Sequence, residues 1–280
     1  MAEADSHAGH VLGLCHPDAM ILDDTGEDFV PVRLGKFQRY AHRLREQYLT
    51  NVIDMASGDE TVHLHAGDLT QGKKYPALLM SDCDDDQCAI ATANLGHAYR
   101  RLNPTHARII SGTAAHVGLG AASEKGVTRQ LAAQFPQLDL RLLAHPLIDL
   151  DGVTFDAAHH GPSTGSREWL KGNVARYYLR SQMWWEFRQG KPPADVYIRA
   201  HYHEFVHEWL EETFHGQRFL SHLVVLPSWC GMSEFSRKVT RSKNYVTNGL
   251  VVFEVIPGDQ IPVRVHPLLK TLDLRTRERL

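Results

Sequence analysis

Two kinds of hydrophobic pattern alternate along the first 200 residues of this chain. The first is helical: in residues 37–57, apolar side chains recur three or four positions apart and share one broad face. The same pattern predicts helices at 86–102, at about 123–135 and at 166–189. The second is a short apolar segment that runs into a turn, and it predicts strands within 62–68, 107–113, 138–144, 153–160 and 194–203. From residue 219 onward the sequence predicts mainly strands.

Strands that alternate with helices predict an α/β layered fold. The sequence shows no internal repeat and no Pro/Gly-rich linker, so we expect residues 1–280 to form a single domain. In such folds the loops at the carboxyl ends of the strands carry the functional residues. Candidate chemistry should therefore be found at those positions.

Composition and charge narrow the classes of protein. The formal net charge is −3, which argues against a basic nucleic-acid coat protein but leaves room for a local basic groove. Every apolar stretch is shorter than the roughly 18 residues of a membrane span, and the polar N-terminus lacks the apolar core of a signal peptide. We therefore expect a cytoplasmic protein. The chain also has 18 histidines, and imidazole is the commonest metal-binding side chain.

Metal-ligand residue types follow several of the predicted strands. In chain order they are Asp5 and His7, Asp68, Thr113 with His116, His159 with His160, and His201 with His203. In an extended segment, residues i and i+2 point to the same side, so each Asp-x-His or His-x-His pair is expected to aim both side chains at one point. Carboxylate oxygen together with imidazole nitrogen suits Mn, Zn, Fe or Ni better than Ca.

Each of these motifs alone has an ordinary structural explanation. A His-x-His pair on a strand is more often a pair of surface residues, and a Gly-Asp turn such as Gly67-Asp68 occurs in many proteins. The functional interpretation depends on their combination, because all five motifs fall at predicted strand ends and plausible helices separate them.

This order of motifs resembles the calcineurin-like metallophosphoesterase family. Asp5-x-His7, Gly67-Asp68 with Gly72, and His201-x-His203 match its D-x-H, G-D and H-x-H motifs. Gly112-Thr113-Ala114-Ala115-His116 resembles the form found in a phage- and prophage-type branch of that family. The resemblance covers about residues 5–255 and implies an αββα-type sandwich of mixed sheets flanked by helices.

The resemblance also implies a metal-dependent phosphodiesterase, nuclease or phosphatase with two divalent metal ions, Mn above all, and Zn, Fe or Ni as alternatives. One metal would be held by Asp5, His7, Asp68 and His203. The other would be held by Asp68, Thr113, His201 and one of the adjacent pair His159 and His160, with His159 favoured. A hydroxide between the metals would attack phosphorus, and His116 would act as general acid or phosphate clamp.

One departure from the family pattern keeps an alternative open, because Thr113 stands where the family has an asparagine ligand. Ala200 stands where the family has the glycine of G-H-x-H, but alanine can fill an extended position, so this departure is discounted. A non-catalytic or single-metal member of the fold that acts as a binding protein is therefore the second hypothesis. A β-lactamase-like nuclease is disfavoured, because the sequence lacks an H-x-H-x-D-H motif.

Substrate recognition is predicted in two places. Lys73 follows the Gly-Asp turn, and the helix predicted at 166–189, which we expect to cover the site, carries Asn173 and Arg176. Amide and guanidinium groups near a two-metal site suit a phosphate ester, including DNA or a nucleotide. The alternative is a packing helix with its tryptophans in the core and its cations in water. If the phage-type resemblance holds, the compartment is the bacterial host cytoplasm.

Overall fold

The computed structural model describes residues 1–23, 25–163, 170–233, 243–259 and 261–278 of the chain. It confirms the predicted α/β layered fold. Helices and strands occur in comparable amounts, and the strands form two large sheets and a small hairpin within the described residues.

The first sheet contains the strand that leads to Asp5. Its members are β1 (Ala2–Glu3), β4 (Val62–His65), β5 (His106–Ile110), β6 (Asp139–Leu143), β12 (Tyr245–Val255) and β13 (Val263–Asp273). They lie in the order β13-β12-β1-β4-β5-β6. The four strands from β1 to β6 run parallel, whereas β12 pairs antiparallel with β1. The two-residue β1 is therefore held between neighbours on both sides.

The second sheet carries the remaining histidine motifs. It consists of β7 (Leu147–Leu150), β8 (Val153–Ala157), β9 (Val196–Arg199), β10 (Val206–Phe214) and β11 (Gln217–Val225). The order is β10-β11-β9-β8-β7, with β8, β9 and β11 parallel. The sequence analysis did not predict β7 or β10, which are the edge strands. A separate hairpin pairs β2 (Met20–Leu22) with β3 (Phe29–Pro31).

The helices lie on the outer faces of these sheets. They are α1 (Lys36–Ala56), α2 (Asp84–Leu102), the single turn α3 (Ala114–Val117), α4 (Ala122–Gln134) and α5 (Asn173–Arg188). Asp84, Asp85 and Asp86 occupy the first turn of α2 and complement its dipole. Its end is marked by Asn103, which adopts a left-handed conformation with φ of 45°. The described helices include none that is long and apolar enough to cross a lipid bilayer.

Alternating side chains divide the molecule into layers. Ile109 of β5 packs with the core under α1, α2 and α4, whereas its neighbour Ile110 packs into the core between the two sheets. On β11, Leu223 packs against α5 and Val224 faces the first sheet. Because successive side chains of a strand point to opposite faces, each sheet is buried on both sides. The order of layers is helix, sheet, sheet, helix.

The predicted helix 166–189 needs a correction. Positions 164–169 lie outside the described residues, and among the described ones α5 begins only at Asn173, because Gly172 has a φ of +95°. The helix packs against β10 and β11 as the outer layer of the second sheet. Of the two interpretations of this helix, a packing helix therefore describes α5 better than a helix that covers the site. It was wrong about the tryptophans, since Trp184 and Trp185 are 41% and 61% exposed.

A buried carboxylate joins β1 to three other parts of the chain. Glu3 is fully buried and accepts two hydrogen bonds from the Arg45 guanidinium of α1, one of them at 2.9 Å. It also accepts hydrogen bonds from His63 Nε2 at 3.1 Å and from Trp229 Nε1 at 2.8 Å. Burial would raise the pKa of Glu3, but the charge of Arg45 and the contact with His63 outweigh it and hold that pKa well below its ordinary value.

We expect Glu3→Gln to destabilise the fold by about 3–5 kcal/mol, because it leaves the Arg45 charge buried without a counter-ion. Urea unfolding measures this cost. The matched control is Glu211→Gln, which breaks the exposed pair of Glu211 with Arg218 and should cost less than about 1 kcal/mol. Equal costs for the two variants would contradict the structural role of Glu3.

Candidate metal centre

The predicted ligands lie together at one edge of the two sheets. Each follows the carboxyl end of a parallel strand: Asp5 and His7 after β1, Asp68 after β4, Thr113 after β5, His159 and His160 after β8, and His201 and His203 after β9. Strands β4, β5, β8 and β9 end three or four residues before the ends of the predicted segments. The ligands therefore lie on loops rather than on the strands themselves.

At five of these eight predicted ligands the backbone is left-handed and not extended. Positive φ angles occur at Asp5 (52°), His7 (45°), Asp68 (55°), His201 (75°) and His203 (54°). The expectation that the i, i+2 pairs converge because they are extended is therefore wrong. Non-glycine residues rarely adopt this conformation, and Asp and His tolerate it better than most. Such strain is typically concentrated at functional sites.

A first group of possible ligands consists of Asp5, His7 and His203, whose donor atoms lie within 4.8 Å of one another. The Nε2 atoms of His7 and His203 are 3.1 Å apart, and Oδ1 of Asp5 lies 3.4 Å from His203 Nε2 and 3.8 Å from His7 Nε2. Burial and the neighbouring His203 hold the pKa of His7 well below its ordinary value. Its imidazole is therefore neutral and has a lone pair to offer.

A second group consists of His159, His160 and His201, again with donor atoms within 4.8 Å of one another. The hydroxyl oxygen of Thr113 lies 3.2 Å from both His159 Nε2 and His201 Nδ1 and 3.5 Å from His160 Nε2. Nδ1 of His159 donates to the Ala66 carbonyl at 2.7 Å, so Nε2 is the nitrogen that faces Thr113. The structure brings both histidines of the adjacent pair to this group, with His159 buried and His160 exposed.

Asp5, Asp68 and His159 form a third group that joins the other two, because it shares Asp5 with the first and His159 with the second. Asp68 Oδ2 lies 3.1 Å from His159 Nε2, while its Oδ1 accepts a hydrogen bond of 2.6 Å from the Thr113 amide. Burial would lower the pKa of His159, but the carboxylates of Asp68 and Asp5 outweigh burial and raise it to about 9. A positive charge is therefore favoured between these two aspartates.

The donor set fits a cation. Among the described residues, the buried Oδ1 of Asp5 has no hydrogen-bond partner although two imidazole nitrogens face it. Two imidazole nitrogens that face each other at 3.1 Å, as in His7 and His203, are likewise well placed to share a metal. Carboxylate and imidazole together suit divalent transition metals. His and Asp groups that could hold a metal ion are thus present, as the sequence predicted.

His116 lies beside the first group without belonging to it. Its ring is 4.7 Å from the ring of His7, in an edge-to-face arrangement. Its Nδ1 donates a hydrogen bond of 2.8 Å to the carbonyl of Gln71. This contact fixes the tautomer, so Nε2 is the atom that can exchange a proton with a bound molecule.

The predicted substrate-binding residues lie farther out. Lys73 is exposed and forms an ion pair of 3.1 Å with Asp84, one residue beyond a turn in which Gly72 closely approaches the His116 backbone. Arg176 pairs with Glu208 of β10 at 3.2 Å, and Asn173 is exposed at the start of α5. Among the described residues, these three side chains form no hydrogen bond or ion pair with the metal-ligand groups.

Glu124 is a residue of the site that the sequence analysis missed. It is fully buried at the start of α4, and its Oε2 accepts a hydrogen bond of 3.0 Å from the Gly112 amide, next to Thr113. Burial raises its pKa to about 8. The sequence shows only an acidic residue in the first turn of a predicted helix. Such residues are usually exposed to solvent, so nothing in the sequence indicated that Glu124 is buried.

No protein-family model and no curated protein matches this chain. Functional inference therefore rests on the residues of the site and on their geometry.

We expect Gly67→Ala to disturb the centre through His159. A Cβ at Gly67 would lie 2.6 Å from His159 Nδ1 and 2.9 Å from the Gly112 Cα atom, in addition to its strained φ of +97°. Gly152→Ala is the matched control, since Gly152 has a φ of +86° and nothing within 4 Å of its Cβ position. Both variants should lose about 1 kcal/mol from backbone strain, and Gly67→Ala clearly more.

Chemical unfolding and Mn²⁺ titration of the two variants distinguish strain from steric displacement. Gly152→Ala should bind Mn²⁺ like the unmodified protein, whereas Gly67→Ala should bind it weakly. Unimpaired binding by Gly67→Ala would show that His159 is not held in place by this turn.

Proposed function

We propose that this chain is a metal-dependent phosphoric ester hydrolase that acts on phosphodiesters or phosphomonoesters, nucleic acid among them. The observation that carries the proposal is the linked set of ligand groups, which share Asp5 and His159 and lie beside a histidine, His116, that belongs to none of them. Two adjacent cation sites that share ligands, beside a histidine that binds neither cation, suit the transfer of a phosphoryl group.

Two cations, Mn²⁺ foremost, would occupy the centre. Asp5, His7, Asp68 and His203 would hold one of them. Asp68, Thr113 and the histidines of the second group would hold the other, with Asp68 bridging. When bound, such metals lower the pKa of water and neutralise charge on phosphoryl oxygens. The protein's own contribution is to hold the imidazoles and the carboxylates in place before the metals bind.

His116 supplies the proton in this scheme. The leaving oxygen of an ester gains negative charge as its bond to phosphorus breaks, and a donor at His116 Nε2 stabilises it. The Gln71 carbonyl favours this role, because it holds Nδ1 protonated and orients the ring. Lys73 follows the turn at Gly72 that approaches His116. Its ion pair with Asp84 is exposed, so replacing Asp84 with a substrate phosphate as its partner would cost little free energy.

A single-metal or purely binding role is the second candidate, and Thr113 is the observation that favours it. A neutral hydroxyl is a weaker ligand than an amide oxygen, and here it already lies within hydrogen-bonding distance of three imidazoles. Metal stoichiometry and turnover separate this candidate from the hydrolase.

We expect His116→Ala to reduce turnover about 10²–10⁴-fold while leaving metal content unchanged. The reduction should be larger for a DNA phosphodiester than for bis-p-nitrophenyl phosphate, because p-nitrophenolate leaves without needing a proton. The control is His106→Ala, which removes an exposed imidazole at the opposite end of β5. An equal loss of metal and turnover would make His116 a ligand, and equal losses on both substrates would make it a phosphate clamp.

Asp68→Asn should abolish tight metal binding at both positions, since it removes the negative charge between them while keeping the shape of the side chain. Metal content after Mn²⁺ dialysis measures this effect. Asp54→Asn, at an exposed position of α1, controls for general charge effects. Full metal stoichiometry in Asp68→Asn would refute the bridging assignment.

A further inference from the structure

A second concentration of histidines lies in the helix layer, away from the candidate metal centre. It consists of His16 in the loop after β1, His42 on α1 and His97 on α2, together with Glu46 one turn beyond His42. We refer to these four residues as the helix-layer cluster. Three separate segments of the chain contribute to it, so the fold rather than a local motif brings it together.

Two of the three ring spacings in the helix-layer cluster are close to those of imidazoles that share one metal, and the third is longer. Ring centroids are 4.4 Å apart for His16 and His97, 4.9 Å for His16 and His42, and 6.3 Å for His42 and His97. Two imidazoles on one tetrahedral Zn²⁺ place their centroids about 5 Å apart, given Zn–N bonds of about 2 Å. The three histidines of the second ligand group have spacings of 4.6–5.2 Å.

Two polar atoms in this cluster lack the partners that burial demands. His97 Nε2 and Glu46 Oε1 are both buried and, among the described residues, have no hydrogen-bond partner, although they lie 2.8 Å apart. Their contact lacks hydrogen-bond alignment, so each atom still has a lone pair to offer to a cation. The other oxygen of Glu46 is held by Arg101 at 2.8 Å, so Oε1 is the free one.

We propose that the helix-layer cluster is a second cation site, with His16, His42, His97 and Glu46 as ligands for a transition metal of the zinc class. Imidazole with one carboxylate suits Zn²⁺ and its neighbours. Unlike the three groups of the candidate metal centre, this cluster does not bring its donor atoms within 4.8 Å of one another. The ring of the half-buried His42 would therefore turn toward the others when the cation binds.

Protonation does not oppose this assignment at neutral pH. Burial, with His97 and His42 nearby, lowers the pKa of His16 to about 4, and burial also lowers the pKa of His42. The other charged groups that face the cluster are Asp18, which lies 3.8 Å from His16, Arg101, and Arg45, whose charge acts on His42. Neutral imidazoles are the form that binds metal.

Such a cation would fasten the loop after β1 to the helix layer. That loop carries Asp5 and His7 at its start and His16 at its far end, and α1 and α2 supply the other ligands. The site does not depend on the proposed hydrolase activity, and it concerns how the ligand-bearing loop is held.

The test measures zinc bound per chain after equilibrium dialysis. The double variant His42→Ala/His97→Ala should bind one zinc fewer than the unmodified protein and keep its Mn²⁺ content at the candidate centre. The single variant His42→Gln, at the half-buried position, should weaken the same site by about tenfold or more, since one of its donors is lost. In an Asp68→Asn background, which disables the other centre, one zinc should remain and should disappear with the double variant.

The matched control is His106→Ala/His266→Ala, which removes two exposed histidines that also lie beside carboxylates. It should bind zinc like the unmodified protein. The proposal fails if the helix-layer double variant keeps the full zinc content, or if the control loses as much. The proposal also fails if Asp68→Asn retains no zinc at all. If Asp68→Asn instead keeps its full metal content, the bridging role of Asp68 in the proposed hydrolase fails and this site is unaffected.

Discussion

The buried charge of Glu3 is the constraint on which the arrangement of this molecule depends. A carboxylate can be ionised in a core only when it is fully hydrogen-bonded, and here Arg45, His63 and Trp229 supply the donors from α1, β4 and the loop after β11. The same loop also holds the main chain at Asp5, two residues after Glu3, because Ser228 Oγ donates a hydrogen bond of 3.0 Å to the Asp5 carbonyl. A strand of two residues can therefore present a metal ligand in a fixed position.

The ligands themselves are held at a cost in conformational energy. Left-handed backbone at a non-glycine residue costs on the order of 1 kcal/mol or more, and five candidate ligands adopt it. The burial of both faces of both sheets offsets this strain, since each layer boundary removes apolar side chains from water. The strained conformation brings side chains together. The turns after β1 and β9 direct Asp5, His7 and His203 to one point, which the pleat of a regular strand would not do.

Sequence reasoning predicted the layered fold and most of its helices and strands because both depend on periodicity, which is local. Helices such as α1 and α2 were predicted to within about two residues for that reason. The edge strands β7 and β10 were missed because their polar residues face solvent and weaken the apolar pattern. The left-handed turns at the ligands and the burial of Glu124 depend on contacts between distant segments, which spacing along one chain does not encode.

The histidine excess, which composition alone could not interpret, has a physical explanation in the fold. Burial disfavours the imidazolium form, and it lowers the pKa of His10, His16 and His65 to about 4 in each case. Imidazoles kept neutral in this way act as hydrogen-bond acceptors or as metal ligands rather than as surface cations. His159 is the exception, since two aspartates raise its pKa to about 9. Where the ligand groups join, the fold therefore favours an added positive charge, which is the condition that a cation site requires.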